Sequence, residues 1–413
     1  MLGDEGVLRR VAWSELFPWL ILARCFRLAI RFRALVLAAA AILATLVGWA
    51  LLGMALSVAT GTTSPAYSLG QYPWQTLDAL VPDHRHLGGT LGIAQPMPVF
   101  HAWGPLVVAW EQLSRPFYQL FSEGITFGQV FFLGLCGLWA LLVWAFFGAA
   151  ITRTAAVELA AGERIGWVAM IRHAASKWLS YVWAVLMPLL VVLAAVLLSA
   201  LLGLFLHVGA GILFAALVWP LMLFGWALTA ALLLGLLVGW PLMWPVISSE
   251  GSDSFDAVSR TYNYLSSRPL HALFYVLVAS VLGFLGWLLV SNFAAAGIYL
   301  SYWAVSWGAA EPVNAIRNGT DLGLFGGSGA ALIRFWVVCV KLLAVGFLYS
   351  YLWTTAEAVY LLLRRDVDAR ELDEVFMEDD GRGEAASLPP LKPDASGFPE
   401  VAEEPENGGA AGK

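Results

Sequence analysis

One stretch of the sequence, residues 178–249, contains no aspartate, glutamate, lysine or arginine over 72 positions. As a single helix it would be about 108 Å long, at ~1.5 Å per residue. The hydrocarbon core of a bilayer is only ~30 Å thick, so the stretch must cross a membrane, turn and cross back. Gly209 and Gly211, just after His207, permit that reversal.

Composition places the whole 413-residue chain in the same class. It is 60% hydrophobic and 13% charged, with a mean hydropathy of +0.75, which is far more apolar than an average soluble protein. The net charge of −6 is unevenly distributed, because residues 366–413 contain 14 acidic and 4 basic side chains. The sequence therefore predicts an all-α, polytopic integral membrane protein with an acidic, mostly disordered cytoplasmic tail at residues 366–413.

Six apolar segments are long enough to cross a bilayer. They are residues 34–59, 128–151, 179–206, 221–247, 270–294 and 333–362. They define a membrane domain of residues 34–365 with an outer loop at residues 60–127. The segments predicted to face the cytoplasm carry 18 lysines and arginines, against five elsewhere. This bias predicts a multi-pass protein of the cytoplasmic (inner) membrane with both termini in the cytoplasm.

Residues 211–220 leave two alternatives open. If they continued into the fourth span, the helix over residues 211–247 would be ~55 Å long. Because Pro220 offers a break, we expect a short shallow or re-entrant helix before it and a separate fourth span after it. Within that span Ala231, Gly235 and Gly239 stand four residues apart, a small-residue ridge that lets another helix approach closely.

Two further segments predict amphipathic helices. Residues 1–33 form a cytoplasmic lead-in where Arg24, Arg27 and Arg31 share one helical face, as in a helix lying on an anionic membrane surface. A plain cytoplasmic lead-in fits equally well. In the outer loop, residues 99–121 predict helices that lie along the outer surface and are broken at Pro116.

The connector between the fourth and fifth spans predicts a helix with a docking surface. Asp253 and Asp256 stand at its start and Arg260 and Arg268 towards its end, the arrangement that a helix dipole favours. We interpret these four residues as a docking site for a cytoplasmic protein.

Lys341 and Arg334 are the intramembrane polar candidates, seven residues apart on the sixth span. A lysine at the centre of a span costs ~2.5–3.5 kcal/mol. An interface anchor whose side chain snorkels outward is therefore favoured over a role in transport. Glu357 lies ~24 Å further along the same helix, too far to pair with Lys341, and we expect it at the inner interface.

Catalytic motifs are missing from the sequence. It contains no HExxH, GxSxG or GxxxxGK[ST] pattern. Asp83, His84, His86 and His101 of the outer loop could bind a transition metal, but no fourth ligand is evident and a solvated loop is favoured. We predict no catalytic site, cofactor, metal or nucleic-acid partner. Membrane lipids, a cytoplasmic protein or other membrane subunits are the expected partners.

Residues 240–257, Arg268-Pro269-Leu270 and residues 148–153 resemble uncharacterised bacterial six-span inner-membrane proteins. Those proteins are remotely similar to the membrane domain of some glycerophosphodiester phosphodiesterases. The resemblance covers most of the membrane domain but not the tail, and finds no counterpart of the catalytic domain. It implies a fold and no activity.

Two function classes remain. One is a transport, export or permease-like component, in which the kinked fourth span lines a path and the helix at residues 253–268 docks a partner. The other is a non-catalytic membrane scaffold or lipid-interacting protein. The structured connector and the proline-containing spans favour transport.

Overall fold

The computed structural model describes residues 17–60, 105–122, 124–318, 323–376, 391–393 and 399–401. A 3-10 turn at Pro18–Leu20 precedes the helices of the described residues. These are α1 (Ile21–Ala29), α2 (Phe32–Thr60), α3 (Pro105–Gln119), α4 (Phe127–Ala160), α5 (Trp167–Phe205), α6 (Gly209–Glu250), α7 (Ser254–Ser267), α8 (Pro269–Ser306), α9 (Ala310–Asn318) and α10 (Gly323–Asp368). Two short strands follow, β1 (Leu391–Pro393) and β2 (Pro399–Val401).

Six of these helices, α2, α4, α5, α6, α8 and α10, are long and apolar enough to cross a membrane. The predicted fold class is confirmed: the protein is an all-α, polytopic membrane protein. The buried core runs through the helical bundle, where α4 packs against α2, α5, α6 and α10.

The prediction of a separate helix before Pro220 is wrong. Helix α6 runs without interruption from Gly209 to Glu250 and contains Pro220, Pro241 and Pro245. Prolines are tolerated in membrane helices, since neighbouring groups satisfy the freed backbone carbonyls. At ~1.5 Å per residue α6 is about 63 Å long, roughly twice the hydrocarbon thickness.

Charged residues do not end the helices where the apolar segments end. The polar stretch between the second and third predicted spans is helical except for residues 161–166, because α4 extends to Ala160 and α5 begins at Trp167. At the start of the predicted acidic tail, α10 ends at Asp368, and residues 369–376 are irregular.

The sequence predicted that the helices of residues 99–121 lie along the outer surface. The structure instead packs α3 against α4, α8 and α10. It continues through Pro116 to Gln119. Trp110 Nε1 donates to the Leu237 carbonyl at 3.0 Å, and a Cβ added at Gly137 would lie 3.0 Å from the Phe117 ring. Leu237 precedes the end of α6 by about 20 Å, so α3 contacts α6 along its length and not at its end.

Helix α1 is amphipathic, as predicted, but its apolar face packs on the protein itself. Leu22 and Cys25 are fully buried, and Phe26 meets Phe347 of α10 edge-on at 5.8 Å. Arg24 and Arg27 are exposed on the opposite face. Residues 1–16 of the predicted lead-in lie outside the described residues.

The chain divides into two units, Met1–Val375 and Phe376–Lys413. In the second unit β1 and β2 pair antiparallel, with Leu391 opposite Val401. The rest of the predicted tail after residue 376 lies outside the described residues.

Candidate functional site

The end of the bundle where α4, α6 and α10 finish and α5 begins, called here the network end, holds a set of buried polar side chains. Ser248 is its centre. Its hydroxyl lies 2.6 Å from Thr152 Oγ1 and 2.8 Å from Tyr181 OH, and its carbonyl accepts from Arg153 Nη1 at 2.7 Å. All four residues are almost fully buried. One residue of α6 thus joins α4 and α5 through hydrogen bonds.

Tyr181 extends this network along α5. Its hydroxyl lies 3.0 Å from His173 Nε2, and its carbonyl accepts from Trp244 Nε1 at 3.0 Å. The Trp244 ring stacks on Trp353 of α10 with centroids 4.3 Å apart. Gly148 makes this contact possible, because a Cβ there would lie 2.5 Å from the Trp244 ring.

Glu357 of α10 is fully buried and contacts Ser249, the residue after Ser248 in α6. Ser249 Oγ donates to its Oε1, whereas Oε2 has no hydrogen-bond partner within the part of the chain that the structure describes. Arg153 and Arg364 lie close enough for their charges to act on this carboxyl group. A buried carboxyl group with one unpartnered oxygen is energetically costly, and such groups in membrane proteins are functional candidates.

Glu250, at the end of α6, forms a second charged centre. It accepts from Tyr360 OH at 2.6 Å and forms an ion pair with Arg260 of α7, with Arg370 at 3.9 Å. Burial lowers the pKa of Arg260, but Glu250, Tyr360 and Tyr264 together outweigh this effect and the net direction is upward. Glu250 therefore ties α6, α7 and α10 together.

The predicted docking helix, α7, is partly occupied by these contacts. Asp253 caps its first turn by accepting from the Asp256 N–H at 2.9 Å, and Asp256 and Arg268 are exposed. Arg260 is engaged with Glu250 and, more weakly, with Asp256 at 3.9 Å. The four predicted residues therefore share one helix but do not form one free surface.

The small-residue ridge of α6 faces α7. A Cβ at Gly235 would lie 2.2 Å from the Tyr262 ring, and one at Gly239 would lie 2.9 Å from Leu265. The Tyr262 hydroxyl donates to the Leu232 carbonyl at 2.7 Å, and burial raises the pKa of Tyr262 to about 12. Ala231, the third member of the ridge, is exposed.

Lys341 and Arg334 occupy different environments. Lys341 is buried, at 2% exposure, whereas Arg334 is exposed. The expectation that the Lys341 side chain snorkels outward is wrong, because the surrounding helices cover it.

An apolar cavity of about 400 Å³ lies between α3, α4, α5 and α6. Its lining includes Phe117, Tyr118, Leu189, Trp144 and Trp240. The indole N–H groups of both tryptophans are buried without a hydrogen-bond partner among the described residues. Trp244, which donates to Tyr181 in the network, also lines the cavity. The cavity and the network are thus in direct contact.

A second cavity, of about 390 Å³, lies between α2, the end of α4 and α10, and is lined by charged as well as apolar residues. Among the described residues, no three histidine, cysteine, aspartate or glutamate side chains are grouped to hold a metal ion. The candidates Asp83, His84, His86 and His101 lie outside those residues.

The comparisons with known proteins assign no relatives. The chain matches no family model, no curated protein and no solved structure. The resemblance to bacterial six-span proteins therefore stays a prediction, and function must be inferred from the two cavities and the network.

Proposed function

We propose that the protein is a transport or export component whose apolar cavity takes up an apolar or amphiphilic solute. The observation that carries this proposal is α3, a 15-residue helix that packs among the long helices and lines the cavity. Short helices that enter a membrane domain are tolerated where they are buried in protein or line a cavity, and in transporters they form substrate sites.

The chemistry of the lining supports such a solute. A volume of about 400 Å³ lies within the range of small-molecule sites, which are mostly apolar with a few polar groups. Trp144 and Trp240 supply two buried N–H donors, whose acceptor a bound solute could provide. Tyr118 adds a phenol side chain to the lining.

We also propose that the network end faces the cytoplasm, which places both termini inside and the protein in the inner membrane. The distribution of lysine and arginine supports this orientation. A cysteine placed at Ser64, in a chain whose native cysteines are replaced, should react with a membrane-impermeant maleimide in intact cells. Reaction only after lysis would reverse the orientation.

We propose a cytoplasmic protein partner for the exposed part of α7, and no catalytic role for any described residue. Asp256 is 53% exposed, so Asp256→Lys should reduce co-purification of a partner without disturbing the Arg260–Glu250 pair. Arg260→Glu is less informative, because it also breaks that pair. Unchanged co-purification of the Asp256→Lys variant would count against docking at α7.

A non-catalytic scaffold or lipid-interacting protein is the second candidate. The basic, exposed face of α1 and the second, charged cavity support it. Under this alternative the apolar cavity would hold a structural lipid that stays in place.

Filling the cavity separates the two candidates. Ala230 lines the cavity, whereas Ala227 is exposed one turn earlier on the same helix and does not. Native mass spectrometry of the wild type should detect a bound apolar or amphiphilic molecule, which Ala230→Trp loses and Ala227→Trp keeps. The identified molecule should then cross proteoliposome membranes with the wild type and not with Ala230→Trp. If both variants retained the bound molecule equally, the apolar cavity would not be its binding site. If the wild type bound the molecule but did not move it across the proteoliposome membrane, the scaffold would be favoured.

A further inference from the structure

The second cavity combines a basic rim with an apolar wall. Arg31, Arg33 and Arg164 line it, together with one carboxylate, Glu158. These four side chains carry a formal charge of +2. The rest of its lining includes Leu37 and Ile151. Its lining shares no residue with the apolar cavity, so an inference about it does not depend on the transport proposal.

The arginines come from two segments that the fold brings together, Arg31 and Arg33 from around the start of α2 and Arg164 from the connection between α4 and α5. Arg31 forms an ion pair with Glu158, near the end of α4. Arg33 Nη1 donates to the Ile165 carbonyl at 2.9 Å, and its guanidinium lies 5.5 Å from the centre of the Trp167 ring. Two of the three guanidinium groups are therefore held in place before any ligand binds.

Guanidinium groups bind phosphate through paired, charge-assisted hydrogen bonds. A free anion would have no use for the apolar wall formed by Leu37 and Ile151, whereas a phospholipid presents a charged head and an apolar chain from one molecule. Basic pockets between membrane helices are suited to such anionic headgroups. We propose that this cavity binds the phosphate headgroup of an anionic phospholipid, with Arg33 and Arg164 as its main charged contacts and Arg31 held by Glu158.

The chain offers a matched control for this site. Arg24 and Arg27 are exposed on α1, close in sequence to Arg31, but do not line the cavity. The double variants Arg33→Gln/Arg164→Gln and Arg24→Gln/Arg27→Gln remove the same charge from the protein. General attraction to an anionic surface would weaken equally in both, whereas a specific pocket would be lost in the first alone.

Binding should be measured by native mass spectrometry of the full chain titrated with phosphatidylglycerol, with phosphatidylcholine as the zwitterionic comparison. We expect the wild type to prefer phosphatidylglycerol, the pocket variant to bind it roughly 30-fold more weakly, and the α1 variant to keep its affinity. Arg164 is exposed, so the single variant Arg164→Gln can be used if loss of the Arg33 contacts disturbs folding. It should bind phosphatidylglycerol roughly fivefold more weakly than the wild type. Glu158→Gln should strengthen binding, since it removes the opposing charge.

Three outcomes would overturn the proposal. Equal weakening in both double variants would mean that surface charge alone attracts the lipid. Equal affinity for phosphatidylcholine would mean that the headgroup charge is not recognised. Displacement of the lipid by an equal concentration of inorganic phosphate would mean that the cavity binds a free anion.

Discussion

The two ends of the α5–α6 hairpin are held by different forces. At the network end, Ser248 is hydrogen-bonded to Thr152, Arg153 and Tyr181. Towards the opposite end, called here the turn end after the turn at residues 206–208, the helices contact few neighbours. In the most apolar window of α6 only 11% of the residues are buried, against 50% in α4.

This difference separates two ways of specifying a membrane helix. The turn end needs only length and apolar composition, because lipid can cover either face of each helix. The network end needs particular partners, because a buried polar group without one is costly. Substitutions should therefore be tolerated at the turn end and destabilising at the network end.

The largest effect should come from Glu250→Ala, which removes the shared partner of Tyr360, Arg260 and Arg370. Breaking a fully buried charge pair typically costs about 3–5 kcal/mol, and the cost here should approach the lower end of that range because Glu250 is 8% exposed but Arg260 is 32% exposed. Unfolding in detergent, followed by circular dichroism, should show a loss of that order. The control Glu111→Ala, at an exposed position of α3, should change stability by less than about 0.5 kcal/mol. A similar effect from both changes would remove the special status of the network end.

Two glycines of α6 provide a matched comparison of smaller size. A leucine at Gly235 must displace Tyr262, since even its Cβ would lie 2.2 Å from that ring, whereas a Cβ at Gly225 meets nothing within 4 Å. Gly235→Leu should cost about 1–3 kcal/mol. Gly225→Leu should be neutral or stabilise the helix by up to about 1 kcal/mol. The same detergent unfolding assay measures both, and equal costs would contradict the packing of α7 on α6.

Tyr262→Phe should have a smaller effect, because it removes one hydrogen bond, to the Leu232 carbonyl. A typical cost is about 1 kcal/mol. Trypsin cleavage after Arg260 should become faster in the variant, reporting a looser α7. Cleavage rates identical to the wild type would show that this bond does not hold the helix.

The smallest effect at neutral pH concerns the titration of Tyr262. Burial raises the pKa of this side chain from 10.0 to about 12. Because the folded protein favours the neutral phenol, its contribution to stability is complete below pH 10 and is lost as the pH rises to about 12. The alkaline loss of stability should therefore be smaller in Tyr262→Phe than in the wild type. A pH titration of the unfolding midpoint measures it, and parallel curves would contradict the assignment.

The spans could be predicted from the sequence because each needs only a run of apolar residues. The network could not, since its partners are far apart in the chain: Ser249 and Glu357 are separated by 108 positions. The adjacent Ser248-Ser249-Glu250 and Thr152-Arg153-Thr154, each ending an apolar segment, were local signals of polar residues at that level. Nothing local showed which residues of α4, α5 and α10 would meet them.

The depth of α3 and the continuity of α6 were missed for a related reason. Sequence rules treat Pro116 and Pro220 as breaks, yet tertiary packing and the membrane environment allow both helices to continue. The apolar residues of α3 correctly predicted that one face of this helix is buried. They could not show whether that face would meet the membrane surface or, as the structure has it, the neighbouring helices.

The most direct test of the account is the depth of α3. Tyr118 is exposed and lines the apolar cavity. A nitroxide can be attached there through Tyr118→Cys, once the native cysteines are replaced by alanine, and the labelled protein is then reconstituted in lipid. Power-saturation spectroscopy should find this nitroxide accessible to oxygen and shielded from a water-soluble nickel complex, whereas a nitroxide at the exposed Phe255 of α7 should meet the nickel complex freely. Free access of the nickel complex to position 118 would place α3 at the aqueous surface and contradict the proposed solute cavity.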